Sequence, residues 1–203
     1  MYLGYKGKIG TILYLLFTVT ANAQTGSGYR YMFGADLHKG SIRSEDRTMI
    51  IDYSLPELYV NSLTDRNGSF YRLAAPGHSL SSDPGKPELP VFSRLITIPD
   101  GASVDVLISG VKSQKITPLR ENIQGILYPA QHGETKQQEG RKPEFAFDRK
   151  CYSARTTIKS DTVTIGPLGS IRGKQISNLV ISPVRYNPRA NILEVITSMK
   201  IEI

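Results

Sequence analysis

Apolar and polar residues alternate with a period of two along the last stretch of the chain, from Ile192 to Ile203. One set of alternate positions holds Leu193, Val195, Thr197, Met199, Ile201 and Ile203, and the other holds Glu194, Ser198, Lys200 and Glu202. Successive side chains of a β-strand point to opposite faces, whereas a helix would scatter these residues around its axis. The pattern therefore predicts a half-buried strand, preceded by a turn at Asn187-Pro188-Arg189-Ala190-Asn191.

Shorter runs of β-branched and apolar residues predict further strands. They are Met49–Tyr53, Val91–Ile98, Val104–Val111, Cys151–Ile158, Thr162–Ile165 and Gln175–Ile181. In total we expect roughly eight to ten short strands and no amphipathic helix of normal length. This set of elements predicts an all-β fold, an antiparallel β-sandwich held by two apolar faces, with a barrel as the alternative.

Turn-forming residues separate several of these strands. Asp65-Arg66-Asn67-Gly68 predicts a hairpin with a type I′ turn, because Asn-Gly accepts positive φ angles. Pro99-Asp100-Gly101 predicts a second turn, which returns the chain from Val91–Ile98 into Val104–Val111. We expect Gly166-Pro167-Leu168-Gly169 to lead a strand into a turn, and no lysine follows it in the frame of a phosphate-binding loop.

The N-terminus has the features of a cleaved export signal. Lys6 and Lys8 form a short basic region, and the apolar run from Ile9 to Val19 is too short to span a bilayer. The run ends in Ala21-Asn22-Ala23, small residues of the kind that a signal peptidase recognises. We therefore assign residues 1–23 to a signal peptide, in preference to a buried helix or a membrane anchor.

The rest of the chain has the length and composition of one globular domain. Of the 203 residues, 39% are hydrophobic and 21% are charged. Residues 24–47, rich in Gly, Ser and charge, are expected to form a flexible lead-in, and residues 48–203 the folded domain. Removal of the two signal lysines lowers the formal charge from +7 to +5, spread along the chain. Without a basic stripe or a known motif, no nucleic-acid partner is expected, and no stable membrane span after signal cleavage.

Side chains able to carry chemistry are few and separated. Cys151 is the only cysteine, so no internal disulfide can form, and we expect it to be a half-buried strand residue. His38, His78 and His132 are isolated, and their spacing matches no zinc site. One cysteine and three scattered histidines offer no nucleophile with its base. We therefore expect no catalytic residue, no metal and no cofactor.

Three passages resemble a known family. The first is Pro84–Phe92 followed by Ile98-Pro99-Asp100-Gly101, the second is Tyr128-Pro129-Ala130-Gln131, and the third runs from Gly166 to Gly173 and then from Leu179 to Pro188. In this order they resemble the propeptides of gingipain-type cysteine peptidases, peptidase family C25. The resemblance extends from about Met49 to Ile203, essentially the whole chain after the lead-in.

The resemblance implies a non-catalytic prodomain. Such a domain lies before a caspase-like catalytic domain with a Cys/His dyad, covers its cleft and assists its folding until it is removed. The implied partner is the cognate peptidase domain downstream of Ile203, and the implied location is secreted or cell-surface, through the periplasm of a Gram-negative bacterium. Two alternatives stay open: a stand-alone β-sandwich adhesion or scaffold module of an envelope protein, and the N-terminal part of a sortase-like member of the same family.

The polar segment from Gln131 to Arg141 is the least hydrophobic part of the chain, and we expect an exposed, flexible loop there. A prodomain that blocks a cleft must present an extended segment, with a basic side chain if the enzyme prefers Arg or Lys. We hypothesise that this loop does so through Arg141 or Lys142, with Lys136 in reserve. An ordinary solvated loop is the alternative.

Two dibasic pairs are candidate processing sites for a trypsin-like activity. They are Arg141-Lys142 and Arg149-Lys150. With the signal cleavage after Ala23, these are the positions at which we expect the chain to be cut.

Overall fold

The computed structural model describes residues 28–34, 41–45, 48–99, 101–133, 144–158, 161–172 and 174–203. Most of these residues lie in strands, numbered in chain order. They are β1 (Gly28–Met32), β2 (Ile42–Glu45), β3 (Thr48–Ser54), β4 (Glu57–Asp65), β5 (Gly68–Ala74), β6 (Ser79–Leu80), β7 (Pro90–Ile98), β8 (Leu107–Ile116), β9 (Ile126–Leu127), β10 (Val163–Ile171), β11 (Lys174–Ile181), β12 (Val184–Asn187) and β13 (Ile192–Glu202). A 3₁₀ turn at Pro118–Glu121 and a short helix, α1 (Arg149–Tyr152), complete the regular structure of these ranges.

The strands form three sheets, in which neighbours are antiparallel except for β5 and β9. The first sheet has the order β1-β4-β5-β9, the second β10-β11-β7-β6, and the third β12-β13-β3-β2. β8 pairs along the other edge of β13, so this long strand has neighbours on both sides. The all-β prediction is confirmed, with thirteen strands in the described ranges where roughly eight to ten were expected.

One cluster of buried side chains joins the three sheets. Val60 and Tyr71 come from the first sheet, Leu179 from the second, and Leu193 and Ile201 from the third, all fully buried. Removal of such apolar surface from water is the main favourable contribution to folding. The three sheets therefore share a single core.

The period-two pattern of β13 is confirmed over most of its length. The predicted core positions Leu193, Val195, Met199 and Ile201 are buried. Register shifts against β8 on either side of Ser198 interrupt the alternation, and Ile196 also enters the core. Thr197, expected on the buried face, is only half-buried, and its hydroxyl donates to the Lys112 carbonyl at 3.3 Å.

The predicted hairpin forms between β4 and β5, but its turn differs from the type I′ turn expected at Asn-Gly. Asp65 pairs with Gly68, so the two loop residues are Arg66 and Asn67. The Asp65 carboxylate accepts a hydrogen bond from the Asn67 N–H at 2.7 Å, which closes the turn locally. Within this turn the positive φ, 137°, belongs to Gly68. The short acidic side chain thus stabilises the turn that forms.

The predicted return of Val104–Val111 alongside Val91–Ile98 is wrong. β8 begins at Leu107, continues to Ile116, and pairs with β13 in the third sheet. The partners of β7 are β11 and β6. Residues 102–106 form no strand, so the chain crosses between sheets instead of turning back. Asp100, within the predicted turn, lies outside the described residues.

The predicted strand Cys151–Ile158 is also wrong, because its first residues belong to α1. The Asp148 carboxylate accepts hydrogen bonds from the N–H groups of Lys150 and Cys151, both at 3.0 Å. A side chain that caps the first free amides favours a helical turn over an extended chain. Only Ile158, through an isolated bridge to Tyr186, has a β partner in this segment.

The Gly-Pro-Leu-Gly run continues β10 where a turn was expected. The register against β11 shifts between Pro167 and Gly169, as in a β-bulge. β10 is an edge strand, where the missing N–H of a proline costs no ladder hydrogen bond.

Residues 24–47, predicted as a flexible lead-in, contain two strands in the part that the structure describes. β1 pairs with β4, and β2 pairs with β3. The predicted signal peptide, residues 1–23, lies outside the described residues. Among the residues described, no helix is long and apolar enough to cross a membrane.

Candidate functional site

The predicted cleft-binding residues Lys136, Arg141 and Lys142 lie outside the described residues, as does Ala23. The structure does describe the chain on either side of the predicted loop. We call residues 130–133 and 144–148 the loop base. Its contacts determine how the intervening segment is attached to the β scaffold.

The side-chain amide of Gln131 joins the two halves of the loop base. Its Oε1 accepts a hydrogen bond from the Ala146 N–H at 2.9 Å, and its Nε2 donates to the Ala146 carbonyl at 3.1 Å. Nε2 also donates to the Pro129 carbonyl at 2.8 Å. All three distances are those of ordinary hydrogen bonds. The side chain therefore satisfies both backbone groups of Ala146, as a neighbouring strand would.

Backbone hydrogen bonds attach both halves of the base to the segment that precedes β7. The Gly85 N–H donates to the Ala130 carbonyl, and the Ala130 N–H donates to the Lys86 carbonyl, each at 2.8 Å. The Asp148 N–H donates to the Gly85 carbonyl at 3.0 Å. Gly85 has a φ of 81°, and a Cβ there would lie 3.0 Å from the Asp148 nitrogen. Both the backbone conformation and the crowding therefore favour glycine at this position.

Aromatic side chains on either side of Ala146 anchor the base. The Phe145 ring centroid lies 5.8 Å from that of Phe70 and 6.0 Å from that of Tyr128. The Phe147 ring stacks on Tyr152 at 4.5 Å. Such aromatic pairs stabilise by about 0.5–1.5 kcal/mol each beyond the area they bury. The second half of the base is thus fixed to the scaffold by packing as well as by hydrogen bonds.

A cation lies against this aromatic cluster. The Arg72 guanidinium carbon is 4.1 Å from the Tyr128 ring centroid, and its Nε is 3.4 Å from Glu88 Oε2. Burial raises the pKa of the Glu88 carboxyl, and the positive charge of Arg72 opposes that rise. Arg72 thus stabilises the ionised Glu88 and covers one face of Tyr128.

Arg149 and Lys150 are the predicted site residues that the structure does describe. Both side chains are exposed, but their backbone belongs to α1. The Ser153 N–H donates to the Arg149 carbonyl at 3.0 Å, within this turn. Peptidase clefts bind extended chains, so cleavage at this pair requires α1 to unwind first.

Of the isolated Cys and His residues, His38 lies outside the described residues, and Cys151, His78 and His132 are not assembled into a site. Burial raises the pKa of the Cys151 thiol, and a neutral thiol is a poor nucleophile. The His78 ring is held by the Tyr53 hydroxyl at 2.7 Å from Nε2 and by the Pro76 carbonyl at 2.9 Å from Nδ1. In the part of the chain that the structure describes, no group of three or more His, Cys, Asp or Glu residues is placed to hold a metal.

Sequence reasoning gave no functional role to Gln131, Gly85 or the phenylalanines of the base. Gln131 and Gly85 do stand within two of the passages that carry the family resemblance. The run Phe145-Ala146-Phe147, apolar and close behind the polar segment, was the local indication of an anchored end. Their pairing across the loop is a long-range property that no local pattern contains.

The β scaffold thus holds the chain on both sides of one polar segment, at residues 130–133 and 144–148. The chain belongs to the propeptide family of C25 peptidases, because the family model Propeptide_C25 matches residues 31–203. This family comprises the prodomain of these enzymes and not their peptidase domain. The resemblance noted in the sequence is thereby confirmed.

Individual relatives agree with this assignment. The chain is 28% identical to Lys-gingipain HG66 of Porphyromonas gingivalis over 151 residues, which are 74% of this chain and 9% of that protein. It is 27% identical to Lys-gingipain W83 of the same species, again over 151 residues that make up 74% of this chain and 9% of that protein. The chain thus spans only a small part of the curated relatives it matches.

Two solved structures share the fold. A structure concerning the zymogenic latency of gingipain K from Porphyromonas gingivalis superposes with a TM-score of 0.78 at 24% identity, covering 87% of this chain and 97% of that one. The complex of RgpB pro- and mature domains from that species gives a TM-score of 0.68 at 14% identity, covering 81% of this chain and 84% of that one.

Proposed function

We propose that this chain is the prodomain of a secreted gingipain-like cysteine endopeptidase, which it keeps inactive and helps to fold until proteolysis removes it. The match of the C25 propeptide family to residues 31–203 carries the proposal. The similar structures concern the latency of gingipain K and a pro–mature complex of RgpB, which supports the same role here. The partner is the cognate peptidase domain, bound within the precursor or in trans.

The segment between the two halves of the loop base is the proposed cleft-binding element. Arg141 or Lys142 fills the specificity pocket, with Lys136 in reserve, because a peptidase selective for basic residues binds such side chains. Support comes from the base, where hydrogen bonds and aromatic packing hold both attachment points. A segment held at both ends loses less conformational freedom on binding than a free one.

Titration of the cognate peptidase domain with the separately produced chain tests this proposal. We expect R141E/K142E to raise the inhibition constant at least about tenfold, since a buried charged anchor typically contributes about 1.4 kcal/mol or more. R149E/K150E is the matched control, because it makes the same charge change at two exposed residues of α1. Equal inhibition by both double variants contradicts the role of Arg141 and Lys142, and no inhibition by the natural chain contradicts the function itself.

Export and maturation complete the proposal. Signal cleavage after Ala23 sends the precursor through the periplasm of a Gram-negative bacterium to a secreted or surface location. Of the two candidate processing sites within the chain, Arg141-Lys142 is the preferred cut over Arg149-Lys150, because α1 must unwind before the latter fits a cleft. Mass spectrometry of the secreted protein checks both, and an N-terminus before Gln24 contradicts the signal assignment. The β-sandwich layout of residues 48–203 stays a prediction.

A further inference from the structure

The two halves of the loop base are linked by one side chain in the middle of the second half. Ala146 has no backbone–backbone hydrogen bond outside regular elements in the described residues, and both its N–H and its carbonyl bind Gln131. The third bond of Gln131, to the Pro129 carbonyl, fixes the orientation of the amide. Gln131 thus sets the separation of the two chain segments at this level.

The same link controls where the neighbouring rings lie. Phe145 and Phe147 flank Ala146, and their rings are parallel within 14° at 6.5 Å. Alternate residues of an extended chain point to one side, so the pairing of Ala146 with Gln131 directs both rings to the scaffold. Phe145 then packs on Phe70 and Phe147 on Tyr152. The direction in which the chain leaves the base at Glu144 follows from this arrangement.

The link is separate from the core that stabilises the fold. Gln131, Ala146 and Phe145 do not belong to the buried cluster that joins the three sheets. Gln131 is only half-buried, so its replacement opens no large cavity. Water can hydrogen-bond to the groups freed at this half-buried position, so loss of the link should destabilise the fold less than loss of a large core side chain and should act mainly on the geometry of the base.

We propose that Gln131 is a positioning residue for inhibition: its amide holds the two halves of the loop base at the spacing that the peptidase cleft requires. This inference rests on the proposed function of the chain as a prodomain. Its physical basis is pre-organisation, because a ligand already held near its bound geometry pays less conformational entropy on binding. Gln131 itself contacts neither the cleft nor the scissile bond in this scheme.

Two variants remove the link in different ways. Gln131→Ala deletes all three hydrogen bonds. Gln131→Glu keeps an acceptor for the Ala146 N–H but turns a carboxylate oxygen toward the carbonyl oxygens of Pro129 and Ala146. Because these oxygens repel each other, Gln131→Glu should weaken inhibition at neutral pH at least as much as Gln131→Ala. Gln114→Ala is the matched control, an exposed glutamine on β8. Ile201→Ala, in the core, controls for stability alone.

The readouts are the inhibition constant against the cognate peptidase domain, the melting temperature, and hydrogen exchange at the Ala146 amide. We expect Gln131→Ala to raise the inhibition constant about tenfold, which corresponds to about 1.4 kcal/mol, and to speed Ala146 exchange by a similar factor. Its melting temperature should fall less than that of Ile201→Ala, which removes a fully buried side chain. Ile201→Ala should melt lower and, at a temperature where it stays folded, inhibit normally. Gln114→Ala should change neither property.

The outcomes separate this inference from the function on which it rests. If the natural chain inhibits and Gln131→Ala inhibits equally well with faster Ala146 exchange, the positioning role is overturned and the prodomain function stands. If Ile201→Ala weakens inhibition as much as Gln131→Ala does, the effect is one of stability and the inference is again overturned. If the natural chain does not inhibit, the proposed function fails first.

Discussion

Asn191 connects three elements of the core through one side-chain amide, and its replacement should be among the most damaging single changes. Its Oδ1 accepts hydrogen bonds from the hydroxyls of Tyr71 at 2.7 Å and Tyr186 at 3.0 Å. Its Nδ2 donates to the Gly125 carbonyl at 2.9 Å. Both tyrosines are fully buried, and burial raises the pKa of each hydroxyl, so both stay neutral donors. Asn191 also has a φ of 51°, which asparagine tolerates better than alanine.

These contacts set the expected cost of Asn191→Ala. Three hydrogen bonds contribute about 1 kcal/mol each, and the left-handed backbone adds about 1 kcal/mol for alanine. The free energy of unfolding should therefore fall by about 4 kcal/mol, a large part of the roughly 5–15 kcal/mol of a typical domain. Urea unfolding followed by circular dichroism measures the change.

A double-mutant cycle checks the physical reason for that cost. Tyr71→Phe alone should cost about 1 kcal/mol, because it removes a satisfied buried hydroxyl. In the Asn191→Ala background the same change should be neutral or stabilising, because the hydroxyl has already lost its acceptor. Equal costs in both backgrounds, or a loss below about 1.5 kcal/mol for Asn191→Ala, refute the reasoning.

Three further predictions follow from the described contacts. Burial lowers the pKa of His78 below its ordinary 6.5, so the unfolded chain takes up the proton first and the free energy of unfolding falls as pH drops below about 6.5. His78→Phe should flatten this pH dependence in urea unfolding. Identical pH profiles for the natural chain and the variant argue against a role of His78 in it. Gly125→Ala should lower the free energy of unfolding by at least about 3 kcal/mol, because a Cβ would lie 2.1 Å from the Ser69 carbonyl oxygen and the backbone φ is 91°. Gly77→Ala is the control: its φ is 73° but a Cβ there meets open space, so the loss should be about 1 kcal/mol. Trypsin should cut the folded chain at Arg149 or Lys150 only as fast as α1 opens. Asp148→Ala removes the side chain that caps α1 and should therefore accelerate this cut in a timed digest. Cutting at an unchanged rate contradicts the role of the cap.

Local sequence patterns predicted correctly those strands that bury one face against the core. Gln175–Ile181 and Ile192–Ile203 correspond to β11 and β13, because alternate side chains meet the core along almost their whole length. The pairing of β8 with β13 was not predictable in this way, since a turn before a strand does not reveal which distant edge the strand joins. The helix α1 was missed because one carboxylate, that of Asp148, outweighs the strand preference of the residues after it.

The sequence indicated which segment is the candidate site, but not the contacts that hold its two ends. The polar composition after Gln131 led to the proposed cleft-binding segment, which stays a prediction, and the order of three passages indicated the family, which is confirmed. The base that holds the segment depends on contacts between residues far apart in sequence, such as Phe70 with Phe145 and Gly85 with Asp148. No periodicity or spacing records such contacts, so only the folded structure identifies them.

The most direct test of the central claim is the activity of the precursor in which this chain remains attached to its peptidase domain. The account predicts activity near background in the intact precursor, and full activity once the chain is cleaved off and separated. It also predicts that the separated chain, added back, suppresses activity in proportion to its concentration. A precursor as active as the isolated peptidase domain would contradict the account.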